Sequence, residues 1–582
     1  MYIKTVTSTA LMAICIQMNA QTLAPDYKGS GNNNPISANI FCADPTALEY
    51  NGRVYVYGSN DHQQFIANGK KGENSYGEIK SIVVFSTDDM VNWTFHGTID
   101  TKKLCSSWVT SPWYQGYGVS WAPSVTWRTT EDGTDEFFLY FCNSSHGVGV
   151  LKANSPVGPW KSPNNKLMIH YDTPGANPSG TNANFDPGVV IDDNGTGWIS
   201  FGGLGPSVIM PEAARIIKLK PSMTEVDGTA AKIPAPYHFE ANELNVIGGK
   251  FVYTYCSNWA NRSDTDWNKY KSEHGINISK PNTCTMCYMV SDDPMNPNSW
   301  VYKGVYGPHP GMGTNNNHSH LQKFGSDYYY FYHGAPLMES WRSGGIIDQN
   351  CGIFRSICVS KATVNEAKQT INTITTGREG VEAIKNLNPY DLQEAETMAS
   401  CGGVDYEDYT NIKTNTKISK LGNDASQNMQ VKMKAGSWIN LRSVDFGTTG
   451  ATKFMLRAKG TGTVDLRFGR AGRPIASLEF SSTDMEDHFV EVNAEKFQGV
   501  KNNFVISVSA ADDVYVDAWQ FTEGTTDGIK DIENGKIANN KFTNSNSYDL
   551  NGRRLSGSNH HRGIVIEQYT DENGERHSRM RY

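Results

Sequence analysis

The chain has 582 residues, of which 19% are charged, and a formal net charge of −8 at neutral pH. This acidic balance excludes the broad basic surface that binds nucleic acid. The length predicts about two to four domains, and the abundant glycine, tyrosine and tryptophan favour β-structure over helix bundles.

The first predicted element is an export signal at residues 1–20. Lys4 precedes an apolar stretch over residues 10–18, and the small-residue motif "MNA" precedes Gln21. Such a stretch is too short to span a membrane, and it is typical of a signal peptide cleaved after Ala20. No later segment is apolar enough for a span. The sequence therefore predicts a soluble protein that is secreted, periplasmic or attached to the cell surface.

The chain has ten cysteines, and removal of Cys15 with the signal leaves nine. An odd number predicts at least one thiol that is unpaired within the chain. Cys284 and Cys287 form a single CxxC motif, and one such pair is too little for a zinc site. Two alternatives stay open for this pair, a loop disulfide or two buried thiols.

One pattern occurs five times between residues 30 and 390. Each copy has a polar or proline-marked start, an apolar strand, a glycine-bearing turn and an aromatic-rich second strand, as in a β-hairpin. The copies begin at Ala43 ("ADPTALEYNGRVYVYG"), Trp121, Phe185, Phe239 and His318. Repeats of this period indicate propeller blades, so the sequence predicts an all-β fold with a five-bladed β-propeller over residues 30–390. A sandwich of unrelated hairpins is the alternative.

The starts of the five innermost strands are predicted to converge at the propeller axis. These positions hold three carboxylates, an indole and an imidazole: Asp44, Asp186, Glu240, Trp121 and His318, with His320 as the alternative histidine. Buried carboxylates are costly unless they are paired or functional. Two carboxyl groups in different protonation states can hydrolyse a glycosidic bond, and a third can raise the pKa of the acid.

From Glu394 onward, short strands alternate apolar and polar residues. This pattern predicts a β-sandwich of jelly-roll type over residues 391–523. Residues 524–582 form a polar linker and a hairpin-bearing tail, which resembles C-terminal sorting domains of secreted bacterial proteins. A hairpin without a sorting role is the alternative.

The repeated phrases resemble glycoside hydrolase family 43, over roughly Asn34 to Pro389. The resemblance implies hydrolysis with inversion, in which Asp44 is the general base, Asp186 tunes and orients the acid, and Glu240 is the general acid. It also implies a base–acid separation of about 6.5–9.5 Å, which admits a water molecule. Glu243 is the alternative acid, but it lies inside the predicted strand and fits less well.

The same resemblance implies four residues that line the sugar pocket: Trp121, Trp259, His318 and Arg355. The alternatives are core packing for Trp121, a structural ion pair for Arg355, and His320 in place of His318. Three other histidines are interpreted as structural or surface residues: His146, His238 and His333.

The two ends of the predicted sandwich resemble carbohydrate-binding module family 6. The resemblance implies a structural calcium ion, an ion that prefers oxygen ligands, held by Glu394, Glu396 and Asp517. Strand-end carboxylates without an ion are the alternative, and a second ion at the propeller axis is left open. Trp438 is predicted to be core, and Tyr406 and Tyr409 are candidate sugar-binding rings. His488 and Phe489 stand where the family commonly has a tryptophan, which puts the usual binding cleft in doubt.

These features predict a monomeric, secreted, inverting glycosidase that acts on plant cell-wall polysaccharide. Together with the module, the phrase from Glu379 to Ala399 resembles arabinofuranosidases that debranch arabinoxylan. The favoured activity is therefore removal of α-L-arabinofuranosyl side chains from xylan. The alternatives are an exo-β-1,4-xylosidase, a bifunctional xylosidase/arabinofuranosidase, an inactive polysaccharide-binding protein, and an adhesin that uses the propeller as a platform.

Overall fold

The computed structural model describes residues 22–29, 31–106, 118–176, 183–312, 316–408, 429–511 and 513–524, together with short C-terminal strands. The chain divides into a unit that ends at Gly524 and a second unit from Thr525 to Tyr582. None of the helices in the described ranges is long and apolar enough to cross a membrane. The predicted export signal at residues 1–20 lies outside the described residues.

The first unit begins with five antiparallel sheets, one for each repeated phrase. In chain order, the strands are β1 (Ala43–Tyr50), β2 (Arg53–Ser59), β3 (Ile82–Thr87) and β4 (Trp93–Ile99) in blade 1; β5 (Trp121–Thr129), β6 (Asp135–Cys142) and β7 (Val148–Ala153) in blade 2; β8 (Gly188–Ile191), β9 (Gly197–Phe201), β10 (Arg215–Leu219) and β11 (Val226–Lys232) in blade 3; β12 (His238–Ile247), β13 (Lys250–Ser257), β14 (Met286–Ser291) and β15 (Val301–Gly307) in blade 4; and β16 (Ser319–Phe324), β17 (Asp327–Gly334) and β18 (Ser356–Ala362) in blade 5. A small hairpin of β19 (Val364–Asn365) and β20 (Thr370–Ile371) follows.

The innermost strands β1, β5, β8, β12 and β16 lie side by side around one axis, and β16 closes the ring against β1. This arrangement confirms the five-bladed propeller. The described parts of the loops carry four short α-helices: α1 (Asp61–Ala67), α2 (Thr101–Leu104), α3 (Asp264–His274) and α4 (Pro336–Ser343).

Tight turns set the register of two of the repeated hairpins. Asn51 and Gly52 join β1 to β2 with φ of 50° and 72°, and Gly248 and Gly249 join β12 to β13 with φ of 57° and 74°. Positive φ at both central residues is the geometry that suits two-residue hairpin loops and that Asn-Gly and Gly-Gly adopt readily. Each register places the following aromatic-rich strand beside the innermost one.

A nine-stranded curled antiparallel sheet follows the propeller and confirms the predicted sandwich. Its region of the chain contains β21 (Gln393–Glu394), β22 (Thr397–Met398), β23 (Ser400–Gly402), β24 (Asp405–Asp408), β25 (Met429–Met433), β26 (Trp438–Leu441), β27 (Val444–Asp445), β28 (Ala451–Phe468), β29 (Ala476–Glu491), β30 (Val500–Lys501), β31 (Phe504–Ala511) and β32 (Val514–Glu523). We call this region the module.

The long strand β28 gives the module its curvature. Its first half pairs with β32 and its second half with β31. The change occurs at Gly460, which has φ of 109° and whose Cβ, if present, would lie 2.8 Å from the carbonyl oxygen of Asp513. Only glycine fits this bend. One strand therefore serves both faces of the sandwich around a core that includes Trp438, which lies buried as predicted.

The module is joined to the propeller by backbone pairing. Strand β22 pairs with the outer strand β4 and extends blade 1 to five strands. Across the same boundary, the Asn92 side chain donates to the Arg442 carbonyl (2.9 Å) and accepts from the Arg442 amide (2.9 Å). Tyr406 packs 4.6 Å from Phe95, ring centroid to ring centroid, so it contributes to this boundary. Tyr409 lies outside the described residues.

All nine cysteines from Cys42 to Cys401 are buried thiols. Cys284 and Cys287 are among them, so the CxxC motif is a pair of buried thiols, the second of its two alternatives.

In the second unit, four strands form a separate antiparallel sheet in the order β34–β33–β35–β36, with bounds β33 (Ser545–Tyr548), β34 (Arg554–Leu555), β35 (Val565–Thr570) and β36 (Arg576–Arg581).

Candidate active site

The same backbone kink occurs at the start of the innermost strand in four blades. The residues at the kink have positive φ: Asp44 (49°), Ala122 (34°), Asp186 (48°) and Ala241 (61°). Non-glycine residues adopt this conformation rarely, and such strained positions cluster at functional sites. In blades 1, 2 and 4, the pairing with the next strand shifts register at the kink, as in a β-bulge. Bulges re-aim side chains, here at one end of the propeller axis.

The predicted positions fall into two registers relative to this kink. Asp44 and Asp186 are kink residues, whereas Trp121 and Glu240 each come one residue earlier. The five residues were expected to occupy one equivalent position, so the structure refines that expectation. Three of them nevertheless come together with Asp44, because Asp186, Glu240 and His318 all interact with its carboxylate or with one another.

Asp44 is buried and surrounded by donors. Its Oδ1 accepts a hydrogen bond from Arg355 (2.7 Å), and its Oδ2 accepts one from the Ser59 hydroxyl (2.7 Å). Its backbone N–H donates to Nδ1 of His333 (3.0 Å). Burial alone would raise the pKa of Asp44, but the Arg355 guanidinium and the nearby His333 and His318 outweigh it and hold the pKa well below its usual range. Asp44 is therefore a carboxylate near neutral pH.

Arg355 is the residue that holds Asp44 in place. Its Nε and Nη2 donate to the two carboxylate oxygens of Asp61 (3.0 and 2.9 Å), a bidentate pair of the kind that fixes a guanidinium in one plane. Its Nη1 donates both to Asp44 and to Oδ1 of Asn316 (2.7 Å each). All three side-chain nitrogens of Arg355 donate to protein groups. This favours a role for Arg355 in positioning Asp44 over a role in binding the sugar directly.

The Asp186 carboxyl group contacts residues of blades 2, 4 and 5. Its Oδ2 accepts from the Ala241 N–H (2.8 Å) and lies 4.0 Å from Nδ1 of His318. Its Oδ1 lies 3.6 Å from the Cys142 thiol. Burial, and then the negative charge of Asp44, raise the pKa of Asp186 to about 7.

The pKa of Glu240 is raised well above its usual value. Burial is the largest cause, followed by repulsion from Asp186 and Asp44. Its Oε1 accepts a hydrogen bond from Nδ2 of Asn316 (3.1 Å). The surroundings therefore favour a protonated Glu240 and an ionised Asp44, the division of states that acid–base catalysis by two carboxyl groups needs.

Among the three remaining predicted site residues, His318 lies beside these carboxyl groups. His318 is buried with Nδ1 3.9 Å from Asp44 Oδ1, and burial lowers the pKa of His318 to about 3, so its ring is neutral. Trp121 is half-buried and donates from Nε1 to the Tyr76 carbonyl (3.0 Å). Trp259 is also half-buried and packs edge-on against Phe239 at 4.4 Å. Each indole is thus held by one contact and keeps part of its surface exposed.

A second layer lies two residues further along the innermost strands. It contains Thr46, Ser124, Gly188, Glu243 and His320. Nδ1 of His320 lies 3.3 Å from Glu243 and 3.5 Å from the Thr46 hydroxyl. His320 therefore belongs with Glu243, and His318 is the histidine of the carboxylate cluster.

Five residues that contact the cluster were missed by the sequence analysis or set aside as structural: Ser59, Asp61, Cys142, Asn316 and His333. Asp61 is separated from Arg355 by almost the whole propeller in sequence, and no local motif links them. Asn316 stands two residues before His318, so the phrase "NNNHSH" was the one signal that could have drawn attention to it.

In the module, the pairing of β21 with β32 brings the backbone at Glu394 and Ala395 beside Asp517 and Ala518. Glu394 pairs with Ala518, and the Ala395 N–H donates to the Asp517 carbonyl (3.0 Å). Glu396 and Asp517 are almost fully buried. In the described ranges no group of three or more His, Cys, Asp or Glu side chains has the arrangement of a metal site.

Two family models match this sequence. "Glycosyl hydrolases family 43" matches residues 32–365, and "Carbohydrate binding module (family 6)" matches residues 394–523. These matches confirm both resemblances found in the sequence.

Among known proteins, an arabinoxylan arabinofuranohydrolase of Bacillus subtilis is 34% identical over 87% of this chain and 95% of its own length. Another of Paenibacillus polymyxa is 33% identical over 86% of this chain and 76% of its own length. The crystal structure of a family 43 arabinoxylan arabinofuranohydrolase from Bacillus subtilis, in complex with cellotetraose, superposes with a TM-score of 0.73 at 33% identity, covering 86% of this chain and 99% of that one.

Proposed function

The chain belongs to glycosyl hydrolases family 43 and is a glycosidase, and we propose that it removes α-L-arabinofuranosyl side chains from arabinoxylan with inversion at the anomeric carbon. The observation that carries the mechanism is the pair of opposite protonation states, an ionised Asp44 and a protonated Glu240, at one end of the propeller axis. The substrate is proposed from two arabinoxylan arabinofuranohydrolases that match most of this chain.

In the proposed reaction, Asp44 takes a proton from a water molecule that attacks the anomeric carbon. Glu240 gives its proton to the glycosidic oxygen that leaves with the xylan backbone. Asp186 keeps the Glu240 proton in place near neutral pH by repulsion between the two carboxylates. After one turnover Asp44 carries a proton and Glu240 has lost one, and exchange with water resets both.

Five residues position these groups or the sugar. Arg355 orients Asp44 through its bidentate pair with Asp61, and Asn316 orients Glu240. His318 is neutral and buried between Asp44 and Asp186, so it can bond to a sugar hydroxyl without adding charge. The half-buried rings of Trp121 and Trp259 offer apolar faces to the sugar ring.

The test is product release from wheat arabinoxylan and from linear xylo-oligosaccharides, in parallel, by wild type and by Glu240→Gln. Arabinose from the polymer, lost in the variant, supports the proposal. Xylose from the oligosaccharides instead would favour the exo-β-1,4-xylosidase, and release of both sugars would favour the bifunctional enzyme. Binding of arabinoxylan without release of either sugar would favour the inactive polysaccharide-binding protein and overturn the proposal.

We further propose a structural calcium ion in the module, held by Glu394, Glu396 and Asp517. Glu396 and Asp517 are almost fully buried, Glu394 lies on the strand that pairs with β32, and carboxylate oxygens are the ligands that calcium prefers. When bound, the ion would supply only charge compensation at this strand pair. We limit the proposal to the module, because at the propeller axis the second layer offers a single carboxylate, Glu243, beside His320.

Export through residues 1–20 completes the proposal, because an enzyme whose substrate is cell-wall polysaccharide must meet it outside the cytoplasm. The measurement is the N-terminal sequence of the protein recovered outside the cytoplasm of the cells that make it. A mature chain that begins at Gln21 supports export, whereas an intact Met1 on cytoplasmic protein overturns it.

A further inference from the structure

The thiol of Cys142 lies beside the carboxyl group proposed to tune the acid. Cys142 ends β6 in blade 2, where it pairs with Trp121 in β5, and it is fully buried. Its Sγ lies 2.8 Å from the backbone N of Asp186 and 3.6 Å from Asp186 Oδ1. Burial raises the pKa of the Cys142 thiol well above its usual value, so the sulfur keeps its proton and can both accept and donate.

We propose that Cys142 is a positioning residue for the glycosidase reaction, in which its sulfur accepts the Asp186 N–H and its S–H points at Asp186 Oδ1. The proposal rests on the proposed function, because it assigns a role to a neighbour of Asp186 in that mechanism. Cys142 does not touch the reacting atoms and acts only through Asp186.

The geometry gives the thiol a defined part in holding this carboxyl group. Asp186 is clamped from two sides, since the Ala241 N–H of blade 4 bonds Oδ2 at 2.8 Å while Cys142 of blade 2 faces Oδ1. Because Asp186 is the residue at the kink, the N–H that Cys142 accepts also belongs to the strained peptide. The thiol thus contacts both the backbone and the side chain of the same residue.

The charged and titratable groups around Asp186 determine what loss of the thiol would do. They are Asp44 of blade 1, Glu240 and Tyr253 of blade 4, and His318 and Arg355 of blade 5. A neutral donor at Oδ1 favours the ionised form of Asp186. Without it Asp186 ionises less readily, its repulsion of Glu240 weakens, and Glu240 loses its proton at lower pH.

The informative variants are Cys142→Ala and Cys142→Ser. Alanine removes both contacts. Serine keeps a hydroxyl that can accept the Asp186 N–H, but because a C–O bond is shorter than a C–S bond, its oxygen falls short of Oδ1. Cys105 is another fully buried thiol, and it lies next to α2 in blade 1, so Cys105→Ala and Cys105→Ser are matched controls.

The first readout is the pH dependence of kcat/KM for arabinose release. We expect the alkaline limb to move to lower pH by roughly half a unit in Cys142→Ala and by less in Cys142→Ser, the size of one modest hydrogen bond. The Cys105 variants should keep the wild-type profile. A wild-type profile in folded Cys142 variants, whatever their thermal stability, would overturn the inference.

The second readout does not need activity. The S–H stretching band of Cys142 is isolated as the infrared difference between wild type and Cys142→Ser, and is recorded again with both proteins in an Asp186→Asn background. The S–H can also point at the Ala122 carbonyl oxygen, which lies 3.9 Å away. A band that moves on the Asp186 substitution supports the contact, and an unchanged band overturns it. If wild type releases no arabinose, the proposed function fails, yet this measurement still decides the contact.

Discussion

Glu240 and Glu243 stand three residues apart on the same strand and have much in common. Both are buried, with 8% and 0% of their surfaces exposed, and burial raises the pKa of each carboxyl group. Their neighbours differ. Repulsion by Asp186 and Asp44 adds to the effect of burial on Glu240, whereas His320 offsets part of it for Glu243.

The difference shows that burial and a raised pKa do not by themselves identify a catalytic acid. Glu240 lies one residue before the backbone kink, together with the other carboxyl groups, and Glu243 lies in the layer beyond it. The register shifts on either side of Glu240 separate the two glutamates into these layers.

The largest effect is expected from Glu240→Gln. Glutamine preserves size and can accept the hydrogen bond from Asn316, but it cannot give a proton to the leaving oxygen. We expect kcat to fall by roughly 100- to 10,000-fold, the usual contribution of a general acid, with little change in melting temperature. Arabinose release from arabinoxylan measures kcat, and thermal unfolding measures the melting temperature. Retained turnover would return Glu243 to consideration as the acid.

Arg355→Met should affect both the base and the fold. The substitution leaves Asp44 and Asp61 buried without their shared cation, a change that costs about 3–5 kcal/mol in unfolding free energy. Because Arg355 lowers the pKa of Asp44, its removal raises that pKa, and activity should be lost at the acidic end of the profile first. Urea unfolding and the pH dependence of kcat/KM are the measurements. An unchanged acidic limb would contradict the role of Arg355 in keeping Asp44 ionised.

Asp186→Asn should move the alkaline limb of the pH–activity profile. Because the Asp186 charge raises the pKa of Glu240, removal of that charge lowers it, and activity should decline at lower pH on the alkaline side. The group must be protonated to act, so the loss appears as pH rises through the lowered pKa. Residual arabinose release across the pH range measures this shift. A profile that keeps its alkaline limb would contradict the tuning role.

Glu243→Gln should have the smallest effect on catalysis and is the matched counterpart of Glu240→Gln. The amide oxygen can still face His320, and the substitution leaves the carboxylate cluster unchanged. We expect kcat within a few-fold of wild type and a change of about 1 kcal/mol in unfolding free energy, the value of one hydrogen bond. Parallel assays of both variants decide the comparison. Equal loss of activity in the two would show that the layers act as one unit.

Much of the site could be predicted from the sequence because the repeated phrases place residues of one type at equivalent points of equivalent blades. Asp44, Asp186 and Glu240 follow from that repetition and from the family resemblance. Ser59, Cys142 and His333 could not be found in this way, because they lie at the ends of second strands and reach the site only when the blades close into a ring.

By itself, the sequence determined the class of the protein: an all-β fold, five hairpin repeats, a second module, and three carboxyl groups at strand starts. These features depend on local periodicity and turn residues, which act over a few positions. Only the tertiary structure decided which carboxyl group is charged. The charge of a carboxyl group depends on other charges within several ångströms. Arg355 lies beside Asp44, although the two residues stand at opposite ends of the propeller's sequence.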